Sequence, residues 1–175
     1  MKPLIYVDMR EEQSNVPEFL KNLGAKISFK TLTVADYIVG EDCAIERKAL
    51  SDFLNSLFQA RIFDQARRLL EAYQKPLIIV EGNLTELFAK SNVQPRSIWG
   101  GLLTLMLDIG VPVLFSRDRY ETAEIIFTLA KREQTEKKKT PVVRPKRKMW
   151  TLEQRQFYVL MGLPNVGPEI AKKLL

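Results

Sequence analysis

The sequence predicts an α/β fold in which a central mixed sheet is flanked by helices. Three observations lead to this prediction. Short β-rich runs alternate with helical stretches over the first 130 of the 175 residues. Residues 76–80 and 112–115 are almost wholly apolar, as is typical of strands buried on both faces. Hydrophobic residues make up 46% of the chain, which is enough for a substantial core.

The first fifty residues predict four strands, at residues 4–10, 26–32, 37–39 and 43–48. Residues 26–32 alternate apolar and polar side chains, as a half-buried strand does. Between the first two strands, Ser14 and Pro17 indicate a helix start, because proline suits the first helical turn. Gly24 ends that helix, and residues 40–42 predict a hairpin turn between the last two strands.

The following eighty residues predict longer helices around the two apolar strands. We expect a helix over residues 51–73 with a break near Ala60, and further helices over residues 97–109 and 120–132. Glu81 and Gly82 end the strand at 76–80. Residues 98–109 are too apolar for a helix that faces water, so this helix is either part of the core or part of a subunit interface.

Positive charge is concentrated in one short segment. The chain has a net charge of +6, yet residues 1–130 carry 15 basic and 17 acidic side chains, whereas residues 131–148 carry nine basic and two acidic ones. This segment contains two prolines and no amphipathic period, which indicates a linker. We therefore expect a domain at 1–132, a basic linker at 133–148 and a small helical unit at 149–175. The linker is either a solvated tether or one that also holds a phosphate backbone.

The composition excludes several kinds of chemistry. Without histidine there is no Ser-His-Asp or Cys-His catalysis and no histidine-ligated zinc, and a single cysteine excludes an internal disulfide. We find no signal-peptide pattern and no apolar run long enough to span a bilayer, so we expect an intracellular protein of the cytoplasm or nucleoid with no membrane partner. Catalysis would have to use carboxylates, Lys, Arg, Tyr, Ser or a metal.

An acidic cluster surrounds the predicted strand at 43–48. Asp42, Glu46 and Lys48 form a D-x(3)-E-x-K pattern, and Asp36 precedes the neighbouring strand. Glu46 and Lys48 should share one face of the strand because side chains alternate. Converging carboxylates suit Mg²⁺ or Mn²⁺, and the lysine could orient water or offset phosphate charge. Taken alone the pattern is weak, since acid-x-Lys is common on solvated strands.

The wider context resembles the nuclease domain of the XPF family of structure-specific DNA endonucleases. The family's G-D-x(n)-E-R-K-x(3)-D motif is matched by Ala35-Asp36, Glu46-Arg47-Lys48 and Asp52, with alanine in place of glycine. Residues 7–11 (VDMRE), 61–65 (RIFDQ) and 76–82 (PLIIVEG) are similar to further family motifs. The resemblance implies a restriction-endonuclease-like core and Mg²⁺- or Mn²⁺-dependent cleavage of branched, flap or fork DNA in repair and recombination.

The resemblance also implies roles for single residues. The implied metal ligands are Asp8, Asp36, Asp42 and Glu46. Lys48 would be the catalytic lysine, and the network around the catalytic site would contain Arg10, Arg47 and Asp52. Alternatives remain open: Glu41 competes with Asp42, Asp8 could be a strand-end cap, Asp52 could be a first-turn helix carboxylate, and Arg47 could form a structural salt bridge on the opposite face.

Residues 162–175 resemble the first motif of a helix-hairpin-helix domain, with Asn165 in place of a glycine. Such a hairpin directs backbone N–H groups and a helix N-terminus at a phosphate. The implied DNA contacts are Asn165, Val166, Gly167, Lys172 and Lys173, with Lys146, Arg147 and Lys148 in the linker. The family carries two such motifs in tandem, so we expect that this one is part of a truncated domain. The alternative is an ordinary helical turn.

The resemblance implies a homodimer held through the nuclease domain, with the helix at 98–109 in the interface. A catalytically silent DNA-binding subunit that positions an active partner is the main rival function, but such a subunit would be expected to lose the acidic cluster and lysine that are present here. An adaptor that docks on a sliding clamp or another repair protein rests only on the basic linker.

Overall fold

In the computed structural model, a six-stranded sheet forms the centre of the chain, which confirms the predicted α/β fold. The structure describes residues 2–83, 85, 94–137, 141–143, 156 and 168–175. The strands are β1 (Leu4–Asp8), β2 (Lys26–Lys30), β3 (Tyr37–Ile38), β4 (Cys43–Ala49), β5 (Lys75–Glu81) and β6 (Val113–Ser116). The helices are α1 (Val16–Asn22), α2 (Leu50–Phe58), α3 (Arg61–Ala72), α4 (Pro95–Leu103), α5 (Arg119–Lys137) and α6 (Pro168–Leu174). A 3₁₀ helix (Met9–Ser14) follows β1, and a π-helical segment (Thr104–Ile109) continues α4.

The sheet is mixed, with the strand order β2-β1-β3-β4-β5-β6. Strand β1 runs parallel to β2, whereas β3 is antiparallel to both of its neighbours, β1 and β4. Strands β4, β5 and β6 are parallel to one another. The short β3–β4 hairpin is therefore held between β1 and β5 in the middle of the sheet, and its turn lies at residues 40–42, as predicted.

Two hydrophobic cores cover the two faces of the sheet. Ile78 and Val80 of β5 point to one face, where they join buried side chains of α2, α3 and α4. Ile79, between them, points to the other face and packs with α1 and α5. This alternation is the period of two that a central strand imposes. The run at 76–80 is all apolar because both of its faces are buried.

Strands β1 and β2 each end two residues before their predicted ends, and larger differences concern β6 and α5. Strand β6 is the last strand of the sheet rather than a buried one, and Leu114 is 45% exposed. Helix α5 extends to Lys137, five residues into the predicted linker. The side-chain amide of Gln134 holds this extension in place, because it bonds the backbone of Leu4 and donates to the carbonyl oxygen of Val39. Lys75 Nζ also pairs with Glu133 at 2.7 Å.

Two alanines have left-handed backbone conformations. Ala60 (φ 57°) lies between α2 and α3 and produces the break predicted there. Ala35 (φ 74°) lies directly before Asp36, at the position where the family motif has glycine. A residue with a Cβ atom is disfavoured in the left-handed region, so the backbone is strained at Ala35, directly before β3.

Asp8 is the last residue of β1, and its carboxylate accepts hydrogen bonds from the chain that follows. Its Oδ1 accepts from the backbone N–H of Arg10 at 2.9 Å and its Oδ2 from that of Leu32 at 2.7 Å. Burial alone would raise the pKa of this carboxyl, but the hydrogen bonds from Arg10 and Leu32 outweigh burial and lower the pKa. Asp8 is therefore an N-cap that ties the 3₁₀ helix to the loop after β2.

Replacing Ala35 by glycine should stabilise the protein. The change relieves the left-handed strain, and we expect the free energy of unfolding to rise by about 1 kcal/mol. Loss of the buried methyl group should reduce this gain slightly. Ala66, equally buried but inside α3, is the control: Ala66→Gly should lower the free energy of unfolding by about 1 kcal/mol. Urea unfolding of both variants measures the difference, and a destabilised Ala35→Gly would contradict the strain.

Asp8→Ala should destabilise the fold, because the buried backbone N–H of Leu32 and the partly buried one of Arg10 lose their acceptor. We expect a loss of about 2–4 kcal/mol at pH 7, measured by urea unfolding. The folded-state pKa lies below the ordinary value of 3.8, so this stabilisation is present at neutral pH and disappears as the pH falls through the folded-state pKa. The difference in the free energy of unfolding between the parent and Asp8→Ala should therefore disappear at acidic pH. Glu12→Ala, exposed on the 3₁₀ helix, should cost under about 0.5 kcal/mol. Equal stability of Asp8→Ala and the parent would show that Asp8 is not a cap.

Candidate active site

Three carboxylates lie in one row across β1, β3 and β4. Asp8 donates its backbone N–H to the carbonyl oxygen of Asp36 at 2.8 Å, and Asp36 donates its own to Ile45 at 2.9 Å. The strand registers place Asp36 between Asp8 on one side and Glu46 on the other. Residues directly opposite on neighbouring strands project to the same face. The sheet thus brings together residues that lie 38 positions apart.

Asp36 and Glu46 repel each other at this position. Burial raises the pKa of the Asp36 carboxyl to about 8, and the negative charge of Glu46 adds to the effect. The backbone N–H of Arg47 donates to Asp36 Oδ2 at 2.9 Å and opposes the shift only in part. A cation placed between the two carboxylates would remove the repulsion.

Lys48 is the nearest positive charge to Glu46. Its Nζ atom lies 3.3 Å from Glu46 Oε1, and the two side chains are 12% and 19% exposed. Both residues project from the same face of β4, as the sequence predicts. The ammonium group balances one carboxylate of the pair, and Asp36 has no such ion pair in the described residues.

The donor set fits a magnesium-like ion held by two carboxylates. Among the described residues, no group of three or more His, Cys, Asp or Glu side chains converges on one point. Mg²⁺ commonly binds through one or two carboxylates, retains several waters and uses phosphate oxygens of the substrate. Asp36 and Glu46 meet that requirement, but the predicted set of four carboxylates is not assembled.

Asp42 lies at the opposite end of β4 from this site. It is four residues before Glu46, which corresponds to about 13 Å along a strand. Its carbonyl oxygen accepts from the backbone N–H of Lys75 at 2.8 Å, at the start of β5. Glu41 belongs to the same turn and is no closer. The structure thus brings Asp36 next to Glu46 and places Asp42 apart from them, and the role of Asp42 as a metal ligand stays a prediction.

Asp8 lies in the row, but its oxygens are engaged. Besides the two backbone N–H groups, the Nε of Arg10 donates to Oδ1. These contacts fit the strand-end cap, the alternative left open by the sequence, and the role of Asp8 as a metal ligand stays a prediction. Arg10 itself is 73% exposed and borders the small cleft in front of Asp36.

Arg47 points to the face opposite Glu46 and Lys48. Its guanidinium donates to Glu81 at 2.7 and 3.1 Å and to Glu11 at 3.4 Å. Tyr37 donates its hydroxyl proton to Glu11 at 2.6 Å, and Thr122 donates to Glu81 at 2.9 Å. The side chain of Arg47 is thus part of a polar network behind the sheet, and only its backbone N–H reaches Asp36.

Glu11 and Glu81 were missed as network members by the sequence analysis, although both lie within the motif runs at 7–11 and 76–82. The alternation of side chains on β4 was the available signal. An arginine placed between two residues that face the site must face away from it, and a buried arginine requires carboxylate partners.

One cleft opens in front of the acidic pair, and a second opens beside Lys48. The smaller has a volume of about 230 Å³ and is lined by Arg10, Thr33, Val34, Ala35, Asp36, Glu46, Gln65 and Arg68. The larger has a volume of about 510 Å³ and is lined by Lys48, Asp52, Asn55, Ser56, Arg61, Asp64, Gln65 and Arg68. Asp52 is exposed in the first turn of α2 and borders the same cleft as Lys48. Gln65 and Arg68 border both clefts, a role that the sequence analysis did not assign to them.

The predicted DNA contacts fall mostly outside the described residues. This is the case for Lys146, Arg147, Lys148, Asn165, Val166 and Gly167. Lys172 and Lys173 are exposed in the last turn of α6. In the described part of the chain, none of the helices has the length and apolar character needed to cross a membrane.

Comparisons with known proteins show the family of this chain. Residues 7–129 match the family model described as the ERCC4 domain. A 3'-flap repair endonuclease, Xpf from Saccharolobus solfataricus, is 39% identical over 173 residues, which cover 98% of this chain and 74% of the relative. A putative ATP-dependent RNA helicase from Methanocaldococcus jannaschii is 37% identical over 99% of this chain but only 21% of its own length.

Solved structures show the same likeness. XPF from Aeropyrum pernix superposes with a TM-score of 0.73 at 36% identity, covering 99% of this chain and 81% of that one. The same protein in complex with DNA gives a TM-score of 0.71 at 34% identity, over 99% of this chain and 80% of that chain. With the ERCC4-domain match over most of its length and this agreement in both sequence and fold, the chain belongs to the XPF family of endonucleases.

Proposed function

We propose that this protein is a metal-dependent, structure-specific DNA endonuclease that uses Mg²⁺ or Mn²⁺. The observation that carries the proposal is the pairing of Asp36 with Glu46 on one face of the sheet, with Lys48 beside them. The burial and mutual repulsion of the two carboxylates favour a divalent cation. The open clefts in front of them leave room for a phosphate backbone.

In the proposed reaction, a water oxygen bonds to phosphorus, the P–O bond to the leaving strand breaks, and the leaving oxygen takes up a proton. A bound Mg²⁺ would polarise a phosphoryl oxygen and lower the pKa of a water. Asp36 and Glu46 would hold the ion. Lys48 would place its ammonium group against the charge that develops on the phosphate, in a site where its side chain is largely shielded from water.

The proposed substrate is branched or flap DNA. Support comes from the relatives, one named as a 3'-flap repair endonuclease and the other solved in complex with DNA. The rival hypothesis of a silent DNA-binding subunit gains no support, because the structure brings the two acidic residues and the lysine together rather than dispersing them. Lys172 and Lys173 are exposed and available for phosphate contacts.

We also propose that two copies pair through an apolar surface of α4 and the π-helical segment. Large apolar side chains are exposed there: Trp99, Leu103, Met106 and Leu107. Leu105, in contrast, is fully buried in the core of the single chain. The segment therefore has one face in the core and one exposed face, and the exposed face is typical of an interaction surface.

Cleavage should require Mg²⁺ or Mn²⁺, and Ca²⁺ should not replace them. Asp36→Asn and Glu46→Gln should each abolish cutting of a 3'-flap substrate while leaving DNA affinity within about a few-fold, because they remove the ligands of the ion. Asp42→Asn, at the far end of β4, is the matched control and should cut normally. Full cleavage in excess chelator would rule out the metal mechanism. Normal cutting by Asp36→Asn or Glu46→Gln would refute the assignment of these residues as ligands.

Lys48→Ala should slow the chemical step by roughly 10²-fold or more, since it removes a charge that acts mainly in the transition state. Single-turnover rates at saturating enzyme measure this step. Arg47→Ala should instead lower stability, because Glu81 and Glu11 lose their buried partner. An unchanged single-turnover rate for Lys48→Ala would remove the lysine from catalysis.

Leu107→Glu should dissociate the dimer without unfolding it, since this side chain is 75% exposed in the single chain. Leu105→Glu should unfold the protein, because its side chain is fully buried. Leu70→Glu, an exposed position on α3, is the control and should leave the dimer intact. Sedimentation velocity and circular dichroism separate these outcomes. A parent protein that is monomeric at tens of micromolar would refute the interface.

A further inference from the structure

One side of α3 forms the wall between the two clefts. Arg61, Gln65 and Arg68 are spaced at i, i+4 and i+7, so they form a ridge along one face of the helix. All three border the larger cleft beside Lys48, and the last two also border the smaller cleft in front of Asp36. The ridge therefore runs along the acidic pair and the lysine.

Two polar atoms on this ridge are buried without a partner. In the described part of the chain, Gln65 Oε1 and Arg68 Nε are the buried side-chain polar atoms that make no hydrogen bond. A buried donor or acceptor without a partner is disfavoured, because it loses its water without gaining a replacement. Both atoms belong to residues that border the clefts. A molecule bound in a cleft could supply a hydrogen-bond donor for Gln65 Oε1 and an acceptor for Arg68 Nε.

Arg68 also differs from its neighbour on the helix. The guanidinium of Arg67 pairs with Asp64 at 3.2 Å on the exposed side of α3. Arg68 is partly buried, and none of the ion pairs found in the described residues includes it. The helix thus presents one neutralised arginine to the solvent and one uncompensated arginine to the clefts.

The chemistry of these atoms selects an anionic ligand with acceptor oxygens. Arginine N–H groups bind phosphate strongly, and a positive charge beside two carboxylates would offset their repulsion of a phosphodiester. The amide oxygen of Gln65 needs a donor, which the backbone of DNA lacks but a water bound to the phosphate supplies.

We propose that Arg68 is a positioning residue that binds a backbone phosphate of the DNA strand at the cleavage site, and that Gln65 holds a water against the same phosphate. This inference rests on the proposed nuclease function. Arg68 fixes where the strand lies relative to Asp36 and Glu46, and Lys48, which borders the larger cleft together with Arg68, acts on the phosphate. Arg61, exposed one helical turn before Gln65, extends the contact along the strand.

The test compares Arg68→Ala with Arg67→Ala on a fluorescein-labelled 3'-flap duplex in Ca²⁺, which should permit binding without cutting. For Arg68→Ala we expect roughly tenfold weaker binding or more, and a slope of log K against log salt that is smaller by about one ion, as the loss of one phosphate contact requires. Arg67→Ala should change neither. Arg68→Lys keeps the positive charge but lacks the Nε–H group. It should therefore retain the salt dependence of binding seen in the parent, yet cleave DNA more slowly than the parent in Mg²⁺.

The controls separate this inference from the nuclease proposal. Asp36→Asn should lose cleavage but keep the salt slope, so a failure of catalysis alone leaves the phosphate contact measurable. Arg68→Gln, which keeps most of the side-chain volume, replaces the alanine variant if circular dichroism shows that the latter is unfolded. The proposal would be overturned if a folded Arg68 variant had the same salt dependence of DNA binding and the same cleavage rate as the parent.

Discussion

The pairing of the short β3–β4 hairpin between β1 and β5 is the constraint on which the site depends. Strand β3 contributes only Tyr37 and Ile38 as paired residues, yet it aligns Asp36 with Glu46. The hairpin is antiparallel within an otherwise largely parallel sheet, so the start of β3 meets the end of β4 at one edge. A shift of this register by one residue would turn Glu46 and Lys48 to the opposite face.

Strand β4 carries two different polar systems on its two faces. Glu46 and Lys48 belong to the open face with the clefts, and Arg47 belongs to the closed network with Glu81 and Glu11. The two systems meet at one residue, because the backbone N–H of Arg47 donates to Asp36 while its guanidinium binds Glu81 and Glu11. An anchored arginine behind the sheet therefore helps to keep the acidic residue in front of it in place.

The sequence alone was sufficient for the fold class, the strand order along the chain and the shared face of Glu46 and Lys48, since each of these follows from periodicity or from a motif. It did not show that Asp42 lies at the far end of β4 from Asp36, because spacing along a chain does not show which end of a strand meets the next strand. It left the role of Asp8 open, since a cap and a ligand require the same residue type. The extension of α5 depends on Gln134 reaching the backbone of β1, a contact between residues 130 positions apart.

Ala35 shows how local strain and site position are connected. Its left-handed backbone directs the chain into β3 and so places the carboxyl group of Asp36, although alanine is a poor residue for that conformation. The family motif has glycine at this position, so the conformation can be interpreted as a requirement of the site. Strain of this kind is typical of positions where the rest of the structure determines the backbone.

Binding of Mn²⁺ to the DNA-free protein, followed by electron paramagnetic resonance, tests the central claim most directly. If Asp36 and Glu46 form the metal site, the parent should bind the ion in competition with Mg²⁺, Asp36→Asn should lose this binding, and Asp42→Asn should retain it. Undiminished binding by Asp36→Asn, or its loss in Asp42→Asn, would contradict the assignment of Asp36 and Glu46 as the metal site.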